Sequence, residues 1–296
     1  MRGPVIAGRR MPSLPVAALL VAAVVANFWY LGWTLRELAT DPLAFDWEVL
    51  VESGRRVSDG GLYEHDPYYL FVWSPVAAGI FGVLEPIGVW GWRALHLAAV
   101  LLIPDRRLKV LVLLSWPFWV DLEAGNILVF VFVAALWALR GSSSGAMAFM
   151  ALTLLAPRPL HLPVLAWLVV KRPEWRLPFI AMTVAHVALV VLSGWGPEWV
   201  ATVLGSGARE LDNDMNVGPS QLIGAVWIPI GLILGVWLTI RGRLGWASLA
   251  VSPYWLPMYL LMPFLEFDRR RLWADRDLQV SGIDSEAARH PLPAEP

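Results

Sequence analysis

Long apolar runs dominate this sequence and constrain its fold more than any other feature. The first covers residues 14 to about 33, and the other uninterrupted runs are residues 90–103, 108–122, 126–139, 177–193 and 222–240. A helix needs about 20 apolar residues to cross the hydrocarbon core of a bilayer. The chain is 57% hydrophobic and only 16% charged, which excludes an ordinary soluble domain. The sequence therefore predicts an all-α fold, a polytopic transmembrane bundle of about eight to ten helices.

Prolines divide two further apolar stretches into shorter pieces. The breaks fall at Pro157 and Pro159 within residues 146–170, and at Pro253 and Pro257 within residues 244–267. Because proline cannot continue a helical hydrogen-bond ladder, each stretch is predicted to be a pair of short helices. Each pair forms either a re-entrant hairpin or a crossing of a locally thinned bilayer. Residues 71–84 are apolar but short, which favours an interfacial helix on the outer face.

The basic residues predict which side of the membrane each loop occupies. Six short stretches hold 15 of the 23 Lys and Arg residues: Arg2/Arg9/Arg10, Arg106/Arg107/Lys109, Arg140, Lys171/Arg172/Arg176, Arg241/Arg243 and Arg269/Arg270/Arg271. These stretches belong in the cytoplasm, and the acidic loops 35–69 and 195–221 belong outside. Both termini are then cytoplasmic, and the first helix is retained rather than cleaved. We predict one integral membrane domain, residues 1–271, and a polar, disordered cytoplasmic tail, residues 272–296.

Several classes of function are disfavoured by what the sequence lacks. It contains no cysteine, so disulfides and thiolate metal or redox sites are excluded. It has no Gly-x-x-x-x-Gly-Lys-Ser/Thr nucleotide loop, and its scattered basic residues do not form a nucleic-acid-binding patch. Asp212 and Asp214 form an Asp-x-Asp pair of the kind that binds Mg²⁺ or Mn²⁺. Their acidity also follows from an outer location, and we predict neither a metal nor a cofactor.

The first outer loop carries the most informative polar residues. A short amphipathic helix is predicted to begin near Asp46 and to lie on the membrane surface. The chain then turns at Asp59-Gly60-Gly61 and continues into a run rich in aromatic and acidic residues. An Asp at a helix start is most often an N-cap, so Asp46 is either a cap or a functional carboxylate.

The order of these features resembles the GT-C membrane glycosyltransferases, and specifically glycosyltransferase family 87, which is similar to polyprenol-phosphate-mannose-dependent α-mannosyltransferases. The elements that carry the resemblance are Asp46-Trp47, Gly61-Leu62-Tyr63, Trp73-Ser74-Pro75, Glu123-Ala124-Gly125-Asn126, Pro157-Arg158-Pro159, Asn216 through Ser220, and Ser252-Pro253-Tyr254-Trp255. They span about residues 14–267. The resemblance implies a GT-C-like bundle with an outer-face helical loop after the first helix. It also implies transfer of a sugar, with mannose the sugar suggested, from a polyprenyl-phosphate donor to a glycolipid or glycan acceptor.

Roles for individual residues follow from this chemistry. Attack by an acceptor hydroxyl needs one carboxylate that takes its proton, and Asp46 is the predicted base. A cation should face the leaving phosphate, and Arg158 is predicted to bind it with His161 three residues later. Arg158 could instead snorkel to the outer interface. The other predicted substrate-binding residues are Trp47, Glu48, Tyr63, Asp66, Trp73, Asn126, Asn216 and Tyr254.

Some polar residues inside apolar segments carry two interpretations at this point. Arg93 and His96, an i,i+3 pair in an otherwise apolar helix, either face an internal cavity or hold helices together by hydrogen bonds. Asn126 either binds a sugar hydroxyl or caps the helix that it begins.

Two other functions stay open on the sequence alone. The paired proline breaks are typical of a transporter or lipid flippase, although no internal repeat surrounds them. A catalytically degenerate GT-C-like membrane protein is the other alternative. The chain has 21 Arg and two Lys, with abundant Ala, Gly, Pro and Trp, which is typical of a GC-rich bacterial genome. The predicted location is then the bacterial cytoplasmic membrane, with the site on its extracytoplasmic face.

Overall fold

The computed structural model describes residues 5–6, 9–10, 14–40, 44–64, 71–211 and 215–268. The described chain is helical apart from one antiparallel pairing between two short strands, β1 (Val5–Ile6) and β2 (Arg9–Arg10). The predicted tail, residues 272–296, lies outside the described residues, as does Asp66. The predicted all-α fold is confirmed at this coarse level, and it is consistent with a membrane protein.

Fourteen α-helices are described. They are α1 (Leu14–Thr40), α2 (Phe45–Asp59), α3 (Pro75–Leu84), α4 (Gly88–Leu101), α5 (Arg106–Leu113), α6 (Trp116–Ala124), α7 (Leu128–Leu139), α8 (Ser143–Leu155), α9 (Leu162–Lys171), α10 (Arg176–Ser193), α11 (Gly196–Leu211), α12 (Ser220–Ile223), α13 (Trp227–Ile240) and α14 (Leu244–Val251). Short 3₁₀ segments lie at Glu85–Ile87, Pro159–His161, Pro173–Trp175 and Gly224–Val226, and a longer one at Pro257–Phe267.

Four helical stretches of the described chain are long and apolar enough to cross a membrane by length and composition. They are Pro15–Thr40, Pro75–Leu101, Pro173–Ser193 and Ser220–Ile240. Their large side chains are widely exposed, for example Trp29 at 76% and Leu192 at 81%, as expected of surfaces that face lipid. The remaining apolar helices are much shorter, so the predicted total of about eight to ten crossings stays a prediction.

The stretch Pro75–Leu101 is bent rather than straight. Phe81 and Trp92 would lie about 16 Å apart along a continuous helix. Their ring centroids are only 5.5 Å apart, because the chain turns through Glu85–Ile87 to Gly88, whose φ is +63°. Helices α3 and α4 are therefore separate elements. The outer-interface position predicted for residues 71–84 stays a prediction.

The long apolar segment 108–122, predicted as one helix, is divided in the structure. Helix α5 ends at Leu113, and α6 begins at Trp116 with Pro117 in its first turn. The break exposes backbone groups that Asn27 of α1 satisfies: its Nδ2 donates to Leu114 O at 3.0 Å, and its Oδ1 accepts from Trp116 N at 2.9 Å. A polar residue inside the first apolar helix thus has a structural role.

The predicted proline breaks are present, and one of the resulting pieces differs from the predicted element. Residues 146–170 divide into α8 and α9 around Pro157–Pro159, as predicted. Residues 244–267 divide into α14 and a 3₁₀ segment, Pro257–Phe267, rather than a second α-helix, because Pro263 lies inside it. Helix α11 within the second acidic loop was not predicted.

Close packing through glycine joins neighbouring helices. A Cβ atom on Gly54 of α2 would collide with the backbone of Gly82 in α3, so the two helices touch at their backbones. Nearby, Arg55 donates a hydrogen bond to Glu85, a contact that raises the pKa of the Arg55 guanidinium. In helix α13, a Cβ atom on Gly231 would meet the backbone carbonyl of Ala250 in α14, and one on Gly235 would meet the Val251 side chain.

The two ends of the bundle differ in their chemistry. Helix α7 starts beside Asn126 and ends before Arg140, about 18 Å away. At the Arg140 end, Arg140 Nε donates to Asp268 Oδ2 at 2.7 Å, Trp137 Nε1 donates to Leu102 O at 3.0 Å, and Arg243 lies 3.7 Å from Glu266. We call this the basic end. Residues from stretches predicted to be cytoplasmic therefore meet at one end, although the membrane sides stay a prediction.

Candidate functional site

The candidate site lies at the opposite end of α7, where the first outer loop meets the turn between α6 and α7. Asn126 Nδ2 donates a hydrogen bond of 2.6 Å to Asp46 Oδ2 across 80 residues of sequence. Asn126 is buried, and its own Oδ1 accepts from the backbone of Ile127 at 2.7 Å, which fixes the amide orientation. Asp46 is not the N-cap of α2. Ala44 occupies that position without a side-chain cap, and Asp46 lies in the first turn, where the helix dipole favours a carboxylate.

Close packing between α2 and the α6–α7 turn supports this contact. Gly125 has a φ of +73°, and a Cβ atom there would lie 2.7 Å from the Trp47 Cβ and 3.1 Å from the Ala44 Cβ. Trp47 is buried and stacks on Trp92 of α4 with ring centroids 5.0 Å apart. The glycine therefore lets α2 approach closely enough for Asp46 to reach Asn126.

Arg158 lies at the first proline break and contacts the second. It has an extended backbone between α8 and the segment Pro159–His161. Its Nη1 donates to the hydroxyl of Tyr259, and its Cζ lies 5.5 Å from the Tyr259 ring centroid. Tyr254 packs against Tyr259 with ring centroids 5.9 Å apart. The two proline-broken stretches thus meet around one half-buried arginine.

Asp121 lies within electrostatic range of both Asp46 and Arg158, and the sequence did not indicate it as a site residue. It is completely buried near the end of α6, and both Asp46 and Arg158 act on its carboxyl group. Its carboxylate also accepts hydrogen bonds from Leu128 N at 3.1 Å and Val129 N at 2.8 Å. It therefore satisfies the first two backbone N–H groups of α7, although it belongs to the preceding helix. The signal available in the sequence was an ionisable residue within an apolar run.

Helix α4 holds the turn that carries Asn126. Trp92 Nε1 donates to Gly125 O at 2.8 Å, Arg93 Nη2 donates to Glu123 O at 3.2 Å, and His96 Nε2 lies 2.7 Å from Asn126 O. The helix-holding interpretation of Arg93 and His96 accounts for these contacts. Asn126 does not cap α7, because Ile127 is the N-cap and makes no side-chain cap hydrogen bond.

Three further aromatic or acidic residues of the predicted site lie in or beside the outer loop. Tyr63 donates its hydroxyl to Trp73 O at 2.8 Å, and its ring lies 6.2 Å from that of Trp195. Trp73 is buried edge-on against Phe81. Glu48 is exposed one turn beyond the start of α2. Tyr63 and Trp73 therefore fix the loop against the bundle, and Glu48 faces outward.

Two other predicted residues are inside the protein. Asn216 accepts hydrogen bonds from Gly218 N at 3.0 Å and Trp255 N at 2.9 Å, so it joins the loop before α12 to the second proline break. His161 is 1% exposed, and its ring lies edge-on to Phe149 with centroids 6.1 Å apart. Its backbone N donates to Arg158 O at 3.0 Å, which shapes the loop around the arginine.

Among the residues that the structure describes, no three His, Asp or Glu side chains are grouped so that they could hold a metal ion. The Asp212 and Asp214 pair lies outside the described residues.

The site therefore combines a carboxylate oriented by an amide, an arginine at a chain break and a buried carboxylate within electrostatic range of both. No family model, no curated protein and no solved structure matches this chain.

Proposed function

We propose that this protein is an integral membrane glycosyltransferase that moves a sugar, with mannose the first candidate, from a polyprenyl-phosphate donor to an acceptor hydroxyl. The observation that carries the proposal is the 2.6 Å hydrogen bond from Asn126 to Asp46. It joins two elements of the resemblance that lie far apart in sequence. It also gives the Asp46 carboxylate a fixed orientation, which a general base needs.

The chemistry assigns one role to each charged group. The acceptor hydroxyl attacks the anomeric carbon, the bond from that carbon to the phosphate oxygen breaks, and the hydroxyl proton passes to Asp46. The transition state resembles an oxocarbenium ion, and a single displacement needs one base. Arg158 faces the leaving phosphate, whose negative charge increases as the bond breaks, and stabilises it without a metal.

Asp46→Asn tests the base directly. Membranes that contain the full chain are given radiolabelled polyprenyl-phosphate-mannose, and incorporation into lipid or polymer is measured with and without EDTA. We expect Asp46→Asn to lose transfer by about 100-fold or more, the range typical of removing a general base. EDTA should leave the wild-type rate unchanged.

Asp59→Asn is the matched control, because Asp59 is an exposed carboxylate at the far end of the same helix. It should retain the wild-type rate. Equal rates for Asp46→Asn and wild type would remove Asp46 from the mechanism. A rate that EDTA abolishes would contradict the metal-free scheme.

A transporter of lipid-linked substrates is the second candidate, favoured by the meeting of both proline breaks at Arg158 and Tyr259. The two functions separate in liposomes that contain the purified chain and a fluorescent polyprenyl phosphate. A transporter moves the lipid between leaflets without an acceptor, and Asp46→Asn does not change the rate of a step that transfers no proton.

A further inference from the structure

One face of α4 lies against the turn between α6 and α7, which carries Asn126. The side chains on this face contact backbone carbonyl oxygens of the turn. Trp92 and His96 are four residues apart and therefore project from the same side of the helix. Their ring nitrogens reach the consecutive carbonyls of Gly125 and Asn126, at 2.8 Å and 2.7 Å. These carbonyls lie where α6 has ended and α7 has not begun, so no helical partner is available to them.

We infer that His96 is a positioning residue for Asp46, acting through the carbonyl group of Asn126. This inference rests on the proposed function and extends it, because it assigns a role to a buried histidine that the transfer chemistry does not use. His96 is fully buried and is separated from Asp46 by Asn126. Its proposed action on Asp46 is therefore indirect, through Asn126.

The path from His96 to Asp46 consists of contacts around one residue. The peptide group that follows Asn126 presents its carbonyl to His96 Nε2, and its N–H, that of Ile127, to Asn126 Oδ1 at 2.7 Å. The Asn126 Nδ2 on the same amide then donates to Asp46. Loss of the His96 donor leaves a buried carbonyl unpaired, so this peptide rotates toward another donor. The rotation turns the amide away from Asp46.

The two ring nitrogens of His96 allow a matched pair of substitutions. Nδ1 lies 2.9 Å from Trp92 O, within α4, whereas Nε2 reaches Asn126 O. A neutral imidazole has one N–H, and we assign it to Nε2, which makes the shorter contact. The side-chain nitrogen of Gln occupies roughly the position of Nε2, and that of Asn occupies roughly the position of Nδ1. His96→Gln therefore keeps a donor to Asn126 O, whereas the Asn of His96→Asn can donate only within α4. Both variants place an amide in the same buried space.

The experiment measures kcat and the donor KM of the purified full chain, using polyprenyl-phosphate-mannose, for both variants in the wild-type and Asn126→Ala backgrounds. We expect His96→Gln to keep kcat within about twofold and His96→Asn to lose on the order of 10- to 100-fold in kcat, the penalty of a misplaced catalytic group, at unchanged donor KM. In the Asn126→Ala background His96→Asn should cause no further loss. Equal kcat values for the two variants, or a full loss in the Asn126→Ala background, would overturn the inference.

Hydrogen exchange of the Ile127 backbone amide, which belongs to the same peptide group, gives a readout that needs no activity. His96→Asn should accelerate its exchange, and His96→Gln should not. Equal exchange in both variants would refute the contact itself. If wild type transfers sugar from no lipid-phosphate donor, the proposed function fails and the catalytic role of His96 fails with it, while hydrogen exchange still reports the contact. Trp92→Phe, which removes the neighbouring donor to Gly125, is the second probe if the His96 variants do not accumulate, and it should lower kcat in the same way.

Discussion

Gly125→Ala tests whether close packing between α2 and the α6–α7 turn positions the site. Two penalties add at this position. The residue has a φ of +73°, which costs an L-residue about 1–2 kcal/mol. The new Cβ would also lie 2.7 Å from that of Trp47, well short of the 3.4 Å at which ordinary contact begins. The Trp47 Cβ is attached directly to the backbone of α2, so the whole helix must shift to make room. Overpacking of this kind typically costs about 1–3 kcal/mol in the free energy of unfolding.

Gly194→Ala separates the two penalties. Gly194 also ends a helix, α10, with a φ of +78°, but a Cβ there would meet nothing within 4 Å. Both variants should lose the backbone contribution, and only Gly125→Ala should lose the packing contribution. The difference of about 1–3 kcal/mol corresponds to about 2–12 °C in the midpoint of thermal unfolding. Tryptophan fluorescence of the detergent-solubilised chain, heated at one fixed rate, measures it.

The same substitution should also lower sugar transfer, because Asp46 precedes Trp47 and moves with it. A misplacement on the order of 1 Å costs about 100-fold in rate. Gly194→Ala should lose stability without this loss of rate. The reasoning is refuted if Gly125→Ala unfolds at the same midpoint as Gly194→Ala, or if transfer falls equally in both.

Three other changes test the remaining architecture. Asn27→Leu should lower the midpoint of thermal unfolding, because each backbone group left unpaired at the α5–α6 break costs about 1–3 kcal/mol. Asn27→Gln, which cannot keep both contacts, should have an intermediate midpoint. A midpoint for Asn27→Leu equal to that of wild type would contradict the assigned role. Gly231→Leu should separate α13 from α14, detected as faster proteolysis near their connection, whereas Leu232→Ala on the exposed neighbouring position should not. Asp268→Asn should lower the free energy of unfolding by about 3–5 kcal/mol, because the carboxylate is buried against Arg140. If Asp268→Asn costs as much in an Arg140→Gln background as in wild type, the two residues are not coupled.

Much of the candidate site was predicted from the resemblance to a glycosyltransferase family, and two of its residues also carry local sequence signals. Asp46 follows an apolar helix at the start of an amphipathic one, and Arg158 stands between two prolines. Charge at membrane depth and helix-breaking residues are visible without a fold. The structure brings Asp46 to Asn126 and places Arg158 against Tyr259, so these predicted residues have partners, while their roles in catalysis stay predictions.

Other parts of the site could not be predicted because they depend on contacts between distant segments. Asp121 is an ionisable residue in an apolar run, and nothing near it in sequence indicates that its carboxylate caps α7 or lies within electrostatic range of Asp46 and Arg158. The division of residues 108–122 into α5 and α6 was also missed. Pro117 favoured it, but its stabilisation comes from Asn27, far away in the first helix.

The sequence by itself determined the class of the protein, an all-α chain of membrane type with two proline-broken stretches. In a bilayer the side chains must be apolar and each backbone polar group must be hydrogen-bonded within its own helix, and both requirements are visible in composition and local pattern. Tertiary structure alone decided which polar groups share a site. Hydrogen bonds from α4 and from Asn126 depend on angstrom-level approach between helices, which glycines such as Gly125 permit and which no periodicity in the sequence encodes.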